Sequence, residues 1–251
     1  MNWITRLALT LYGLAARLRL TETRLGRCLF LRVYNLYKSR VEARYAPHVL
    51  AFIPPATTVI DIGANVGFFT RLFAHHLSSG HVIAIEPETR NVADLRAMLA
   101  REGLTDRVRV IQALVTDQMG ERLLTIDPLH PANHHIGLQG IPTPSVTLDQ
   151  VAESSPSPIS LIKIDVQGAE MLVLSGGQKT IGQHKPILYI EVSPSDLQRF
   201  DTSATVLLAW IADRGYAFYQ LTADAPQPMT QSQVLAITTE QGYGDFLCLP
   251  V

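Results

Sequence analysis

At 251 residues and 27.7 kDa, with 47% hydrophobic and 17% charged residues, the chain holds apolar material for one sizeable core, which excludes disorder as its main state. A formal net charge of -1, from 21 Lys or Arg and 22 Asp or Glu, excludes the strongly basic character of a phosphate-driven nucleic-acid binder, so no nucleic-acid partner is expected. Neither Cys28 nor Cys248 has Cys or His at metal-ligand spacing, which excludes a disulfide framework or structural zinc site and makes a reducing cytoplasm the expected compartment.

The neutral total hides a division along the chain. Residues 1–50 carry nine Lys or Arg against Glu22 and Glu42, a balance of +7, whereas the remaining 201 residues carry twelve basic against twenty acidic, or -8. The break predicts a basic amphipathic helical arm over 1–53 and one domain over 54–251, divided at Pro54-Pro55. In the arm, Ile4, Leu7, Ala8, Leu11, Leu14, Ala15 and Leu18 fall on one helix face, with Arg6, Thr10, Gly13 and Arg17 opposite. The apolar stretch Leu7–Ala16 is about half the length of a transmembrane helix, and no small-x-small cleavage site follows it. Packing of that face on the domain is the leading expectation, and peripheral contact with anionic lipid through residues 1–50 is the second.

From Thr58 onward the residues predict alternating strands and helices. A buried strand at 58–62 precedes a helix at 68–77. A second strand, HVIAIE at 81–86, precedes a helix at 91–101 that closes at Gly103, and a third strand is expected at 108–114. LIKID at 161–165 and ILYIEV at 187–192 read as two more buried strands, with helices near 169–174 and 178–183 between them. Strand alternating with helix implies a parallel sheet with right-handed crossovers. Between Asp117 and Asp149 a strand at 121–126 is followed by a segment with Pro128, Pro131, Pro142 and Pro144, read as a long functional loop or lid. Late in the chain, a helix at 204–213 stopping at Gly215 and strands at 216–221 and 246–249 flank a polar excursion.

The most informative run is Val59-Ile60-Asp61-Ile62-Gly63-Ala64-Asn65-Val66-Gly67-Phe68-Phe69. A buried strand entering a glycine-rich turn that opens a helix puts backbone N–H groups at the sheet's carboxyl edge, where a nucleotide-like ligand can lie. The dinucleotide fingerprint Gly-x-Gly-x-x-Gly is not met, because Asn65 replaces the middle glycine. Asp61 at the strand end would oppose a pyrophosphate but attract an ammonium group. Glu86, closing the second strand, is placed to accept both hydroxyls of a ribose. Together the two acids suit an adenosyl ligand that carries an amino acid.

At these residues the chain resembles the class I S-adenosylmethionine-dependent methyltransferases, and more narrowly the FkbM family. The resemblance covers roughly 59–194. It rests on DIGANVGFFT at 61–70, IEP at 85–87, QAL at 112–114, TLD at 147–149 and LIKIDVQGAEMLVLSGG at 161–177. It implies a Rossmann-like, doubly wound α/β fold with a mostly parallel seven-stranded sheet behind the helical arm, and S-adenosylmethionine as cofactor. It further implies Asp61, Gly63, Asn65, Gly67, Glu86, Ala113 and Asp165 as cofactor-binding residues, with Ala113 near the adenine. Gln167 departs from the commoner Glu of the family and receives no ionisable role.

Methyl transfer to a hydroxyl needs donor and acceptor aligned, water excluded and a proton removed. Lys163 and Asp165 share one face of a strand, and Asp165 and Glu191 end what should be adjacent strands. A structural ion pair at Lys163 is one reading. In the other, Asp165 or Glu191 is the base, or both hold a divalent cation such as Mg2+. Glu170 is read as a helix-start acid. Among His130, His134 and His135 no helical ligand pair is present, so no metal ligand is assigned and a substrate-facing His135 or His134 is preferred. His75, His76 and His184 are read as helix-surface residues, and Trp3 and Trp210 as packing anchors. The expected activity is O-methylation of a sugar, glycan or secondary-metabolite hydroxyl, the acceptor class following from the resemblance alone. The alternatives are a nicotinamide-dependent oxidoreductase and a non-catalytic peripheral binding protein of the same fold.

Overall fold

The computed structural model describes residues 23–41, 45–126 and 134–251. The arm's first amphipathic pattern, Trp3 and His130 lie outside the described residues. Helices α1 (Arg24–Val41) and α2 (Ala46–Leu50) precede β1 (Thr58–Ile62), α3 (Phe68–His76), β2 (His81–Ile85), α4 (Thr89–Glu102) and β3 (Val108–Ile111). Then come β4 (Leu114–Val115), β5 (Gly120–Thr125), β6 (His135–Ile136), β7 (Ile141–Val146), α5 (Leu148–Ala152), β8 (Ile159–Ile164), α6 (Glu170–Ser175), α7 (Gln178–His184) and β9 (Ile187–Val192). The chain ends with α8 (Pro194–Leu197), α9 (Ala204–Ala212), β10 (Tyr216–Leu221), β11 (Pro226–Met229), α10 (Gln231–Gln241) and β12 (Gly244–Pro250). No described helix is long and apolar enough to cross a membrane.

The main sheet runs in the order β11-β10-β12-β9-β8-β1-β2-β3, parallel from β9 to β3 and antiparallel from β9 to β11. Among the described residues it has eight strands where seven are expected, because β11 adds to the β10 edge. The prolines that hide it from a sequence reading, Pro226 and Pro228, are tolerated at an edge, where a missing N–H breaks no ladder. Helix α10 is also absent from the sequence expectation, although its capping box, Thr230 with Gln233, was readable as T-x-x-Q.

Every residue of β1 is buried, and its neighbours divide between two cores. Ile60 and Ile62 pack with Ile83, Ile162, Leu188 and Val173 on one face, whereas Val59 packs with Phe73, Leu95, Leu161 and Tyr189 on the other. This period of two across a sheet covered on both sides is the doubly wound arrangement. Ala46, Val49 and Ile53 are buried, and the latter two join the Val59 core.

The segment expected to be a long loop builds a second sheet, β4-β7-β5-β6. The third strand correspondingly stops at Ile111, and the chain switches sheets at Leu114. Pro142 and Pro144 lie inside β7. Residues 142, 144 and 146 present their backbone to the same side, where the Val146 carbonyl accepts the Thr116 N–H at 2.9 Å. On that side β4 pairs only with Ser145 and Val146, so neither proline is asked for a hydrogen bond that it lacks. The TLD landmark is structural here: Thr147 caps α5, and Asp149 accepts from Thr180 N at 2.8 Å and Thr180 Oγ1 at 2.7 Å.

Candidate active site

A crevice of about 450 Å³ opens at the carboxyl ends of β1, β2, β8 and β9, the place where a doubly wound sheet leaves room for a ligand. Its floor is the turn after β1. Gly63 N and Ala64 N both donate to the Ile85 carbonyl at 3.0 Å, Asn65 N donates to Glu86 Oε2 at 2.9 Å, Val66 N to Asn65 Oδ1 at 2.7 Å, and Gly67 N to the Ala64 carbonyl at 2.9 Å. The sequence reading offered these amides to a ligand. The structure spends them within the protein, which removes the donors a pyrophosphate would need. Asn65 sits at φ +51, a left-handed conformation that Asn adopts more readily than most side chains, and so takes the middle position without a glycine.

The two glycines differ in what they serve. A side chain at Gly63 would run into the Asp165 backbone carbonyl, so this glycine lets the turn pass against the end of β8. A side chain at Gly67 would run into Leu95 and Met98 of α4. Gly67 therefore seats α3 on α4 and, contrary to the cofactor-binding role implied by sequence, is not among the residues lining the crevice.

Glu86 is buried at the crevice edge. Burial pushes its carboxyl up to about 7, although N–H groups of Glu88 and Asn65 and the Asn91 amide donate to it. Through the Asn65 N–H it ties the end of β2 to the glycine turn.

Asp61, Lys163 and Tyr189 stand in register on β1, β8 and β9, on the face covered by α3. Lys163 Nζ lies 3.0 Å from Asp165 Oδ2, 3.9 Å from Asp61 Oδ1 and 5.1 Å from the centre of the Phe69 ring. Asp61 Oδ2 accepts the Thr70 hydroxyl at 2.6 Å. Burial opposes the Lys163 charge, but Asp165 and Asp61 outweigh it and hold the ammonium above its ordinary range. Asp61 is fully buried, and burial raises its carboxyl despite Lys163. The sequence reading set Asp61 opposite a ligand's ammonium. The ammonium beside it is that of Lys163, and the acid of this cluster that opens to the crevice is Asp165, whose side chain is 28% exposed.

Asp165 and Glu191 come together as expected, and Gln167, a residue with no ionisable role, joins them. The Gln167 amide, on a residue at φ +55, donates to Glu191 Oε2 at 3.2 Å and to Asp165 Oδ1 at 3.4 Å. Burial works against ionisation of Asp165, but the charges of Lys163 and Lys38 and the hydrogen bonds from Lys163 and Gln167 hold it below the usual carboxylate range. Glu191 goes the other way: burial first, then the charges of Asp165, Asp245 and Glu170, raise it well above that range. Burial and neighbouring charge thus push the two adjacent acids in opposite directions, Asp165 toward the ionised form and Glu191 toward the protonated one. Glu170 behaves as the helix-start acid it was read to be, its Oε1 accepting Gly168 N at 3.1 Å and Val166 N at 3.4 Å in the turn that carries Gln167.

Ala113, His134, His135 and Ile136 form a further wall, so the second sheet does border the crevice and His135 faces it. Lys38 of α1 also lines it, a contribution from the arm that no local sequence pattern announces. Among the described residues no group of three or more His, Cys, Asp or Glu could hold a metal ion. The Asp165–Glu191 pair itself does not suit a cation, because the Lys163 ammonium and the Gln167 amide already occupy it. His75 pairs with Glu102 at 2.9 Å, His76 meets the Ile53 carbonyl, and Trp210 carries the Arg214 guanidinium at 3.5 Å, all away from the crevice.

The family model of the methyltransferase FkbM domain matches residues 61–218. The chain is similar to the 31-O-demethyl-FK506 methyltransferase FkbM of Streptomyces tacrolimicus, 33% identical over 158 residues that cover 49% of this chain and 60% of the relative. It is similar also to the 2-O-methyltransferase NoeI of Sinorhizobium fredii (strain NBRC 101917 / NGR234), 28% identical over 164 residues that cover 57% of this chain and 66% of the relative. The chain thus spans less than two thirds of the length of the curated relatives it matches. Among solved structures, cofactor-bound Rv0187 from MTB superposes with a TM-score of 0.50 at 16% identity, covering 93% of this chain and 94% of that one, a likeness of fold.

Proposed function

The chain belongs to the FkbM methyltransferase domain family, and from that membership and its crevice we propose that it is an S-adenosylmethionine-dependent O-methyltransferase acting on a hydroxyl of a sugar, glycan or secondary metabolite. The observation that carries the cofactor assignment is the commitment of all five amides from Gly63 to Gly67 to partners within the protein. A crevice rich in carboxylates and without free turn amides favours a cationic ligand over a dinucleotide, which sets the nicotinamide-dependent oxidoreductase aside. Glu86 would hold the ribose hydroxyls, Ala113 would flank the adenine, and Asp165 would face the amino-acid portion. When bound, the cofactor would supply a methyl group carried on its sulfonium sulfur, the C–S bond breaking with its electron pair left on a neutral thioether.

Two adjacent carboxyls shifted in opposite directions support a division of labour. Asp165, held ionised by Lys163, accepts the proton leaving the acceptor hydroxyl as its oxygen takes the methyl group. Glu191, whose carboxyl is shifted toward the protonated form by burial and by the charges of Asp165, Asp245 and Glu170, would offer a hydrogen bond that orients the acceptor. Gln167 fixes their spacing, and His135 contributes from the second sheet. The O-methyltransferase names of both relatives support oxygen as the acceptor atom. Thermal denaturation with S-adenosylhomocysteine and with NADH tests the reading: the former should raise the melting temperature and the latter leave it unchanged, and the reverse pattern refutes the assignment.

A further inference from the structure

Helix α1 is held to the domain along one side. Arg27 donates from Nε to Asp94 Oδ2 at 2.7 Å and from Nη2 to Asn91 Oδ1 at 3.2 Å, both on α4, and Lys38, three turns further on, lines the crevice. On the opposite side Leu25, Leu29, Val33 and Leu36 are 87%, 64%, 50% and 52% exposed. At 100° per residue these four fall within an arc of about 80°, centred roughly opposite Arg27 and Lys38. Over 25–36 the face is therefore a continuous apolar stripe, with exposed Arg32 at its margin and the next position on the same arc, 40, an arginine. The helix sequence RLGRCLFLRVYNLYKSRV contains five Lys or Arg and no Asp or Glu.

We propose that α1 docks this protein on an anionic lipid bilayer, the apolar stripe entering the headgroup region and the flanking cations meeting lipid phosphates. Charge decides among possible occupants. A second copy packing face to face would bring two all-basic helices together, and residues 1–22, with Arg6, Arg17 and Arg19 against Glu22, carry the same sign. An anionic surface complements both the stripe and the charge. Since Lys38 of the same helix lines the crevice, docking would hold the crevice near the bilayer and admit acceptors presented at a lipid surface.

Sedimentation of the full chain with phosphatidylglycerol/phosphatidylcholine vesicles, and with phosphatidylcholine alone, tests the proposal. Binding should be confined to the anionic vesicles and weaken between 0.1 M and 1 M salt, as screening shortens from about 10 to about 3 Å. The variant Leu25→Asp/Leu29→Asp should lose about a hundredfold or more in partition, since two leucines no longer enter the apolar layer. The S-adenosylhomocysteine-induced rise in melting temperature should persist in that variant, showing an intact fold and separating failure of docking from failure of the methyltransferase reading. Equal sedimentation of wild type and variant would overturn the proposal. So would a wild-type dimer that the variant dissolves, which would make the stripe a contact between copies, or a wild type that ignores anionic vesicles altogether.

Discussion

The backbone N–H of Asn65 donates to the Glu86 carboxylate at 2.9 Å, so the glycine turn after β1 and the acid that ends β2 form one unit. Because burial pushes Glu86 up to about 7, the charge of that unit changes near neutrality. A ribose is held best by the ionised carboxylate, which can accept from both hydroxyls. S-adenosylhomocysteine should therefore bind about tenfold more weakly at pH 6 than at pH 8. Titration calorimetry across this range checks the slope, and Glu86→Gln should bind weakly with no slope. A wild type whose affinity is flat from pH 6 to 8 would remove Glu86 from the ribose.

The same burial makes stability depend on pH. Glu86 and Glu170 are both raised to about 7 from 4.5, so between these values the folded protein binds more protons than the unfolded chain. Stability in the absence of ligand should fall as pH rises from about 4.5 through about 7, by roughly 3 kcal/mol for each of these two acids, with the raised carboxyls of Asp61 and Glu191 acting in the same direction. Asp165, shifted downward, contributes stability that is lost only as pH falls below 3.8, outside that window. Urea denaturation at pH 5, 6, 7 and 8 measures the trend, and Glu170→Gln should flatten it. Rising stability over this interval would contradict the burial account.

Space and backbone conformation can be separated at two glycines. Gly63 has φ +79 and would strike the Asp165 carbonyl if it carried a side chain, whereas Gly103 has φ +68 and open space beyond it. Gly103→Ala should cost roughly 1 kcal/mol, from the left-handed conformation alone. Gly63→Ala should cost roughly 2 to 5 kcal/mol, because backbone must also move. Equal losses in the two denaturation midpoints would mean that the close approach of Gly63 to β8 carries no weight.

Lys163 is the buried cation between Asp61 and Asp165. Lys163→Met leaves two acids without it and should destabilise the protein by roughly 3 to 5 kcal/mol. Combining it with Asp61→Asn should recover part of that loss, as expected of coupled neighbours. Strict additivity in the double-mutant cycle would show that Asp61 and Lys163 do not sense each other.

Lys38 draws the arm into the site. Its charge helps to keep Asp165 ionised, so Lys38→Met should shift the acid limb of the pH–rate profile upward while leaving S-adenosylhomocysteine affinity within about twofold. An unchanged limb would confine Lys38 to the crevice wall.

Sequence alone determined the strand–helix alternation, the glycine turn, Glu86, and the meeting of Asp165 with Glu191. Each is written in a contiguous run, and parallel neighbours with acids at their carboxyl ends bring those acids to one edge. The capping of α10 was equally local and went unread. Tertiary structure decided the rest. The prolines of β7 fit a strand because β4 is too short to reach them, and three of the five turn amides, those of Gly63, Ala64 and Asn65, are taken by Ile85 and Glu86 at the end of β2. Gly67 serves α4 rather than the crevice, and Lys38 arrives from a helix distant in the chain. The opposed shifts of Asp165 and Glu191 belong to the same class, because burial and neighbouring charge set them and both are properties of the packed site.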